Sequence, residues 1–286
     1  MKHELKITEC PRDAMQGIKD FIPTKTKIEY INQLLKVGFD TLDFGSFVSP
    51  SAIPQMKDTA EVLKNIEPKN QTKLLAIIAN TRGAVDASNF DLVDILGFPF
   101  SISENFQKRN TNSSREQSLI AVSEILKIAK DSNKKVRIYL SMAFGNPYDE
   151  QWNNAILLEW GKKIVDLGVN ELVLSDTVGV ATPKIIESAF ALFQKELPNI
   201  EINCHFHSKA NLWEEKINSA FIAGCRGFDG AIKGYGGCPM ANDELVGNIA
   251  TENLFSYFDD QLSEKINQKE FQKALILADR IFTTYH

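Results

Sequence analysis

Cys204-His205-Phe206-His207 closes a short β-like run that begins at Glu201. Side chains alternate faces along a strand, so His205 and His207 project to the same side and can share one cation. Imidazole is the commonest transition-metal ligand, which makes this spacing a metal signal. Two half-buried histidines that merely hydrogen-bond at a strand end would give the same pattern. Other chemistry-bearing residues stand where strand-like runs finish: Arg12 and Asp13 after the first, Asp43 in the second, Asp176 and Thr177 after the sixth, and Cys238 in the Gly234-Tyr235-Gly236-Gly237-Cys238 loop after the eighth. Two histidines with Asp13 and one neutral oxygen would suit a divalent ion such as Mg2+, Mn2+ or Zn2+. The lack of a cysteine-rich ligand set disfavours a structural zinc. Taken singly, Arg12 and Asp13 also read as a surface ion pair, and Asp176 as the cap of a turn. Cys238 lies among glycines, where no core needs filling, so a functional thiol is favoured there. Cys10, Cys204 and Cys225 lie on or beside strands and helices and read as packing residues.

The elements that must position these residues follow from periodicity. Residues 5–10 alternate as a strand and end in a charged loop at Pro11-Arg12-Asp13. A helix begins at Thr24 with Ile28, Ile31, Leu34 and Leu35 on one face and Gly38 just past its end, and a strand over 41–44 follows. The unit recurs: helix 54–66 and strand 73–78, a short helix 83–88 and strand 92–96, then a polar loop carrying Glu104, Lys108 and Arg109. Ser113 and Glu116 form a capping-box pattern for a helix running to about Asp131, before strand 136–140. Helix 152–167 precedes strand 171–174, Thr182-Pro183 opens the next helix, strand 201–206 is followed by helix 211–223, and strand 227–229 is the eighth. Asn267 and Glu270 cap a last amphipathic helix. Eight strand–helix alternations predict a parallel sheet closed as a (β/α)8 TIM barrel with an additional C-terminal helix. A doubly wound open sheet is the alternative, disfavoured because no Gly-x-Gly-x-x-Gly follows the first strand and no Gly-Lys-Ser/Thr loop occurs. With no Pro-, Gly- or Ser-rich linker, one domain over 1–286 is expected, with the loop and helical region from about 234 as its last part. In such barrels the carboxyl ends of the strands carry the active site, which is where the polar residues above collect.

Composition narrows the classes of partner. The chain has 286 residues, 43% hydrophobic and 24% charged, with a formal charge of -5 and a pI near 5.5. There is material for a large core, no general attraction to nucleic acid or an anionic membrane, and no apolar run of the length needed to span a bilayer. The N-terminus enters a strand pattern at once, with no signal-peptide pattern, so a cytoplasmic location is expected. The four cysteines show no Cys-x-x-Cys spacing, which disfavours a zinc knuckle.

Several stretches resemble the 3-hydroxy-3-methylglutaryl-CoA lyase family of divalent-metal (β/α)8 enzymes. They are Pro11-Arg12-Asp13, Ser46-Phe-Val-Ser-Pro50 with Pro54-Gln-Met56, Ser175-Asp-Thr-Val-Gly179, Cys204-His205-Phe-His207 and Gly234-Tyr-Gly-Gly-Cys-Pro239. The Arg-Asp and His-x-His elements are shared with isopropylmalate and homocitrate synthases, aldolases and carboxyltransferases; the Ser-Phe-Val-Ser-Pro and Gly-Gly-Cys-Pro elements look more like the lyases. The resemblance implies Asp13, His205, His207 and Asn248 as metal ligands, with Mg2+ or Mn2+ ahead of Zn2+, Arg12 by the substrate carbonyl, and Cys238 on a mobile catalytic loop. It implies His205, Asp43 and Asp176 as further catalytic candidates, and Lys19, Lys108 and Arg109 as contacts for the phosphates of coenzyme A. The implied reaction is metal-dependent cleavage of 3-hydroxy-3-methylglutaryl-CoA to acetoacetate and acetyl-CoA, as in leucine degradation and ketone-body formation, by a homodimer acting on an acyl-CoA thioester. A related lyase with another acyl-CoA, a condensing acyltransferase and a non-catalytic paralogue are the alternatives. Departures from the family are Asp43 where a glutamate is usual, Ser208-Lys-Ala-Asn211 after His207, and Met240 where a tyrosine is usual.

Overall fold

In the computed structural model, which describes residues 4–67, 71–237 and 246–285, eight parallel strands close on themselves. These are β1 (Lys6–Glu9), β2 (Thr41–Ser46), β3 (Lys73–Ile77), β4 (Ile95–Ser101), β5 (Lys135–Ser141), β6 (Glu171–Asp176), β7 (Glu201–Ser208) and β8 (Gly227–Gly230). Each pairs with its sequence neighbours, β8 pairs back onto β1, and the result is the (β/α)8 barrel that the alternation predicts. The intervening helices are α1 (Pro11–Gln16), α2 (Thr24–Leu35), α3 (Thr59–Lys64), α4 (Thr81–Ser88), α5 (Glu104–Thr111), α6 (Arg115–Asp131), α7 (Asn154–Asp166), α8 (Pro183–Glu196) and α9 (Trp213–Ile222). Beyond β8 lie a two-residue strand β9 (Gly247–Asn248), α10 (Thr251–Tyr257), α11 (Asp259–Leu262) and the long C-terminal α12 (Gln268–Thr284).

Local chemistry sets the helix starts. Asn80, Ser103, Asn153 and Asn267 each accept a backbone N–H with the side chain, and Pro183 occupies the first turn of α8. The capping box of α6 is Ser114 with Gln117, one residue later than Ser113 and Glu116; both registers fit the motif, and the helix starts at Arg115. Three other expectations shift. Pro11-Arg12-Asp13 forms the first turn of α1, since proline has no N–H to lose at that position. The polar segment with Glu104, Lys108 and Arg109 is helical, capped by Ser103 and closed by Asn112 at φ 54°. The fourth strand begins at Ile95, pairing in register with Lys135 to Ser141.

Most apolar residues pack between the sheet and the helices. Inside the barrel a smaller apolar layer of Leu75, Ile77, Ile95, Tyr139 and Val173 is bordered by polar side chains. Gly97 leaves the space this layer fills: a Cβ there would lie 2.7 Å from Ile77 and 2.9 Å from Leu75. Toward the amino ends of the strands, buried Arg137 donates to Thr8 at 3.1 Å and meets Glu171 at 2.6 Å. These contacts tie β1, β5 and β6 across the floor below the cavity.

Candidate metal centre and active-site cavity

At the carboxyl ends of the strands a cavity of about 410 Å3 opens among Arg12, Asp13, Tyr139, His205 and His207, with Arg109 of α5 also on its wall. The abrupt passage from β1 into α1 turns Arg12 and Asp13 inward, and both are buried. Alternation along β7 presents His205 and His207 to the same space. Asn248 arrives from β9, which pairs antiparallel with β7 so that Asn248 stands opposite His207.

The two imidazoles are held from behind. His207 Nδ1 lies 2.9 Å from the carbonyl of Thr177, to which it donates, and His205 Nδ1 lies 3.2 Å from Asp229 Oδ2. With each Nδ1 proton so engaged, both Nε2 atoms carry lone pairs, and these face one another at 3.3 Å. Two facing acceptors repel unless a proton or cation lies between them. Asp13 completes the group, its oxygen and the histidine nitrogens all lying within 4.8 Å of one another. Asp13 Oδ1 accepts from Arg12 at 3.0 Å and Gln16 at 2.8 Å, and Oδ2 from Asn248 at 2.7 Å. The Asn248 amide nitrogen also donates to the Tyr235 carbonyl at 2.8 Å, so its oxygen takes no part in these bonds. Two imidazoles and one carboxylate fit a divalent cation, and buttressing of the imidazoles by Asp229 and Thr177 is the outer-shell arrangement metal sites use.

Electrostatics points the same way. Burial disfavours an ionised Asp13, but Arg12 and both histidines outweigh it and hold its pKa at about 2. Burial alone would lower His205, yet the hydrogen bond and charge of Asp229 raise it overall; His207 is lowered, by burial and by His205. Arg12 bridges two carboxylates. Nε donates to both oxygens of Asp43 at 3.1 Å, Nη2 to Asp43 Oδ2 at 2.5 Å and Nη1 to Asp13. Asp43 therefore reaches Arg12 in bidentate fashion despite being one methylene shorter than glutamate. Burial pushes the Asp43 pKa up and Arg12 opposes it. Arg12 itself is raised and stays charged.

Arg12, Asp13, Asp43, His205, His207 and Asn248 thus meet in one place. Asp176 does not line the cavity: it accepts from Lys216 at 2.7 Å and from the Ala181 N–H at 3.2 Å. Arg109 lies on the cavity wall beside the Tyr148 ring, 4.9 Å from its centroid; Lys19 is exposed away from that wall, and Lys108 pairs with Glu104 at 3.1 Å. Cys238 lies outside the described residues. Of the glycines before it, Gly236 (φ 87°) lies against α1, where a Cβ would stand 2.7 Å from the Asp13 carbonyl, and Gly234 and Gly237 lie against Asn248 and Val246. Cys10 is buried, with its thiol pushed well up by burial and by surrounding carboxylates, as a packing cysteine would be. Sequence reasoning missed Asp229, Gln16 and Lys216. Asp229 was legible as a carboxylate inside the eighth strand; the other two carry no local signal.

The HMGL-like family profile matches residues 5–275. A cytoplasmic 3-hydroxy-3-methylglutaryl-CoA lyase of Rattus norvegicus is 35% identical over 87% of this chain and 73% of its own length. A hydroxymethylglutaryl-CoA lyase of Bacillus subtilis is 32% identical over 91% and 86%. Among solved structures, hydroxymethylglutaryl-CoA lyase from Pseudomonas aeruginosa superimposes with a TM-score of 0.90 at 27% identity, covering 98% of this chain and 93% of its own. An HMG-CoA lyase from Acenitobacter baumannii in complex with coenzyme A and 3-methylmalate gives 0.88 at 27%, covering 97% and 91%.

Proposed function

We propose that this chain, which belongs to the HMGL-like family and is a lyase of that type, cleaves 3-hydroxy-3-methylglutaryl-CoA to acetoacetate and acetyl-CoA with the aid of a divalent cation. The observation that carries this reading is the His205–His207 pair with its lone pairs converging beside ionised Asp13, next to a locked Arg12. Asp13, His205, His207 and the oxygen of Asn248 would hold the ion, two nitrogens and two oxygens with no thiolate, a set open to Mg2+ or Mn2+. Such an ion supplies positive charge for the tertiary hydroxyl and distal carboxylate of the substrate, lowering the hydroxyl pKa.

The remaining work falls to the chain's own groups. A guanidinium has five N–H donors, and Arg12 commits three of them to Asp43 and Asp13, leaving two for a substrate oxygen. The hydroxyl proton passes to a base and the C–C bonding electrons move into the thioester as an enolate. The enolate's oxygen is met by those two donors, which Asp43 and Asp13 already orient before charge develops. Cys238 returns a proton to the enolate carbon. Arg109 would meet a phosphate of coenzyme A, with Lys19 and Lys108 as outer contacts. A single catalytic domain spanning the chain, a cytoplasmic location and a homodimeric state belong to the same reading; among the described residues no helix is long and apolar enough to cross a membrane.

Incubating the protein with Mn2+ or Mg2+ and the thioester should release acetoacetate. Absence of product at high enzyme concentration, with metal demonstrably bound, would refute the substrate assignment. Cys238→Ser should depress turnover far more than metal affinity.

A further inference from the structure

Lys216 of α9 is a buried cation that the chemistry above does not use. Its side chain is 2% exposed, and all three ammonium donors are engaged: Asp176 Oδ2 at 2.7 Å, the His207 carbonyl at 2.9 Å and the Gly179 carbonyl at 3.0 Å. Asp176 in turn receives the Ala181 N–H on both oxygens. The pair therefore grips the 176–181 segment at Asp176, Gly179 and Ala181, and the main chain of His207 across from it. Between these anchors stands Thr177, whose carbonyl takes the Nδ1 proton of His207 and whose hydroxyl takes the Met142 N–H at 2.8 Å.

We infer that Lys216 and Asp176 are a positioning pair that fixes the orientation and the Nδ1–H tautomer of His207, and through it the affinity of the metal centre. The inference rests on the metal reading of that centre. Its physical basis is the two-point hold. If Thr177 drifts from His207, the Nε2–H tautomer becomes equally available, and that form turns an N–H toward the cation in place of a lone pair. If the His207 carbonyl drifts, the imidazole leaves the geometry it shares with His205 and Asp13. Outer partners of metal-bound histidines affect affinity by roughly 10- to 100-fold. Asp176, held by two donors, acts here as a positioning residue and carries no proton in the reaction.

The test compares Lys216→Met, the double variant Asp176→Asn with Lys216→Met, and a control, Lys27→Met. Lys27 of α2 is also buried and paired, with Asp58 at 2.7 Å, but it neither lines the cavity nor bonds any residue of the metal centre. Mn2+ dissociation constants come from electron paramagnetic resonance of the free ion, and the His207 tautomer from nitrogen-15 shifts of the metal-free protein. The double variant removes both charges and carries the comparison should Lys216→Met leave Asp176 unpaired and the chain unfolded. Expected are a Kd weakened tenfold or more with a mixed His207 tautomer in the Lys216 variants, and a Kd within twofold of the parent in Lys27→Met despite its lower stability. A folded Lys216 variant that keeps the parent's Kd and a pure Nδ1–H tautomer would overturn the inference. Should the parent itself bind no Mn2+, the metal reading falls, and the tautomer measurement alone decides the role of Lys216.

Discussion

Glu9 offers a pH test whose size follows from its surroundings. It lies in β1 with its carboxyl fully buried, accepting the Ile232 N–H at 3.0 Å and the Thr251 hydroxyl at 2.5 Å. These bonds tie the barrel wall to both ends of the segment that carries the glycine loop and Asn248. Burial raises its pKa from 4.5 to about 8, against the opposing pull of the two hydrogen bonds. The folded protein therefore keeps a proton that the unfolded chain releases near 4.5, so the Glu9 contribution to stability is greatest below that pH and declines as pH rises toward 8, where the loss levels off. Three and a half pH units at 1.36 kcal/mol each amount to about 5 kcal/mol. Glu9→Gln keeps an acceptor for Ile232 and cannot ionise. In denaturant titrations every half unit from pH 5 to 9, the stability of the parent should fall relative to Glu9→Gln by about 3–5 kcal/mol, with the variant the more stable of the two at pH 9. Curves for the two proteins that run parallel across this range would refute a neutral buried Glu9.

Three further outcomes follow from the site. Arg12→Lys keeps a charge but loses the planar fork that spans Asp43 and Asp13, so kcat should drop on the order of 100- to 1000-fold with Mn2+ still bound; a drop under tenfold would contradict the oxyanion role. Asp229→Ala removes the acceptor behind His205, and calorimetry should find Mn2+ affinity reduced roughly 10- to 100-fold, whereas an unchanged value would mean Asp229 does not orient that ring. Mn2+ affinity should also fall as pH drops through the raised pKa of His205, because a cation competes with that proton, while Asp13 stays ionised down to about 2. A metal affinity that stays level until pH 4 would point to Asp13 alone as the ligand.

The fold class and much of the centre are legible in one dimension. Strand and helix periods are local, so eight alternations were readable from apolar spacing, and the end of each strand marked where Arg12, Asp13, Asp43, His205 and His207 would face a common mouth. His-x-His on a strand determines a shared direction by backbone geometry alone. Partnerships across the barrel are another matter, because they depend on how eight strands close. Pairing of β7 with β8 sets Asp229 behind His205, the docking of α9 turns Lys216 onto Asp176, and a two-residue strand far along the chain pairs with β7 so that Asn248 reaches Asp13. Pro11 reads equally well as a loop and as a helix start, and only the packing of α1 against β2 and the glycine loop decides that Arg12 and Asp13 point inward. The sequence by itself thus determines which residue types stand at the barrel mouth. Which of them touch is decided in three dimensions, since each contact joins elements whose relative position no local pattern encodes.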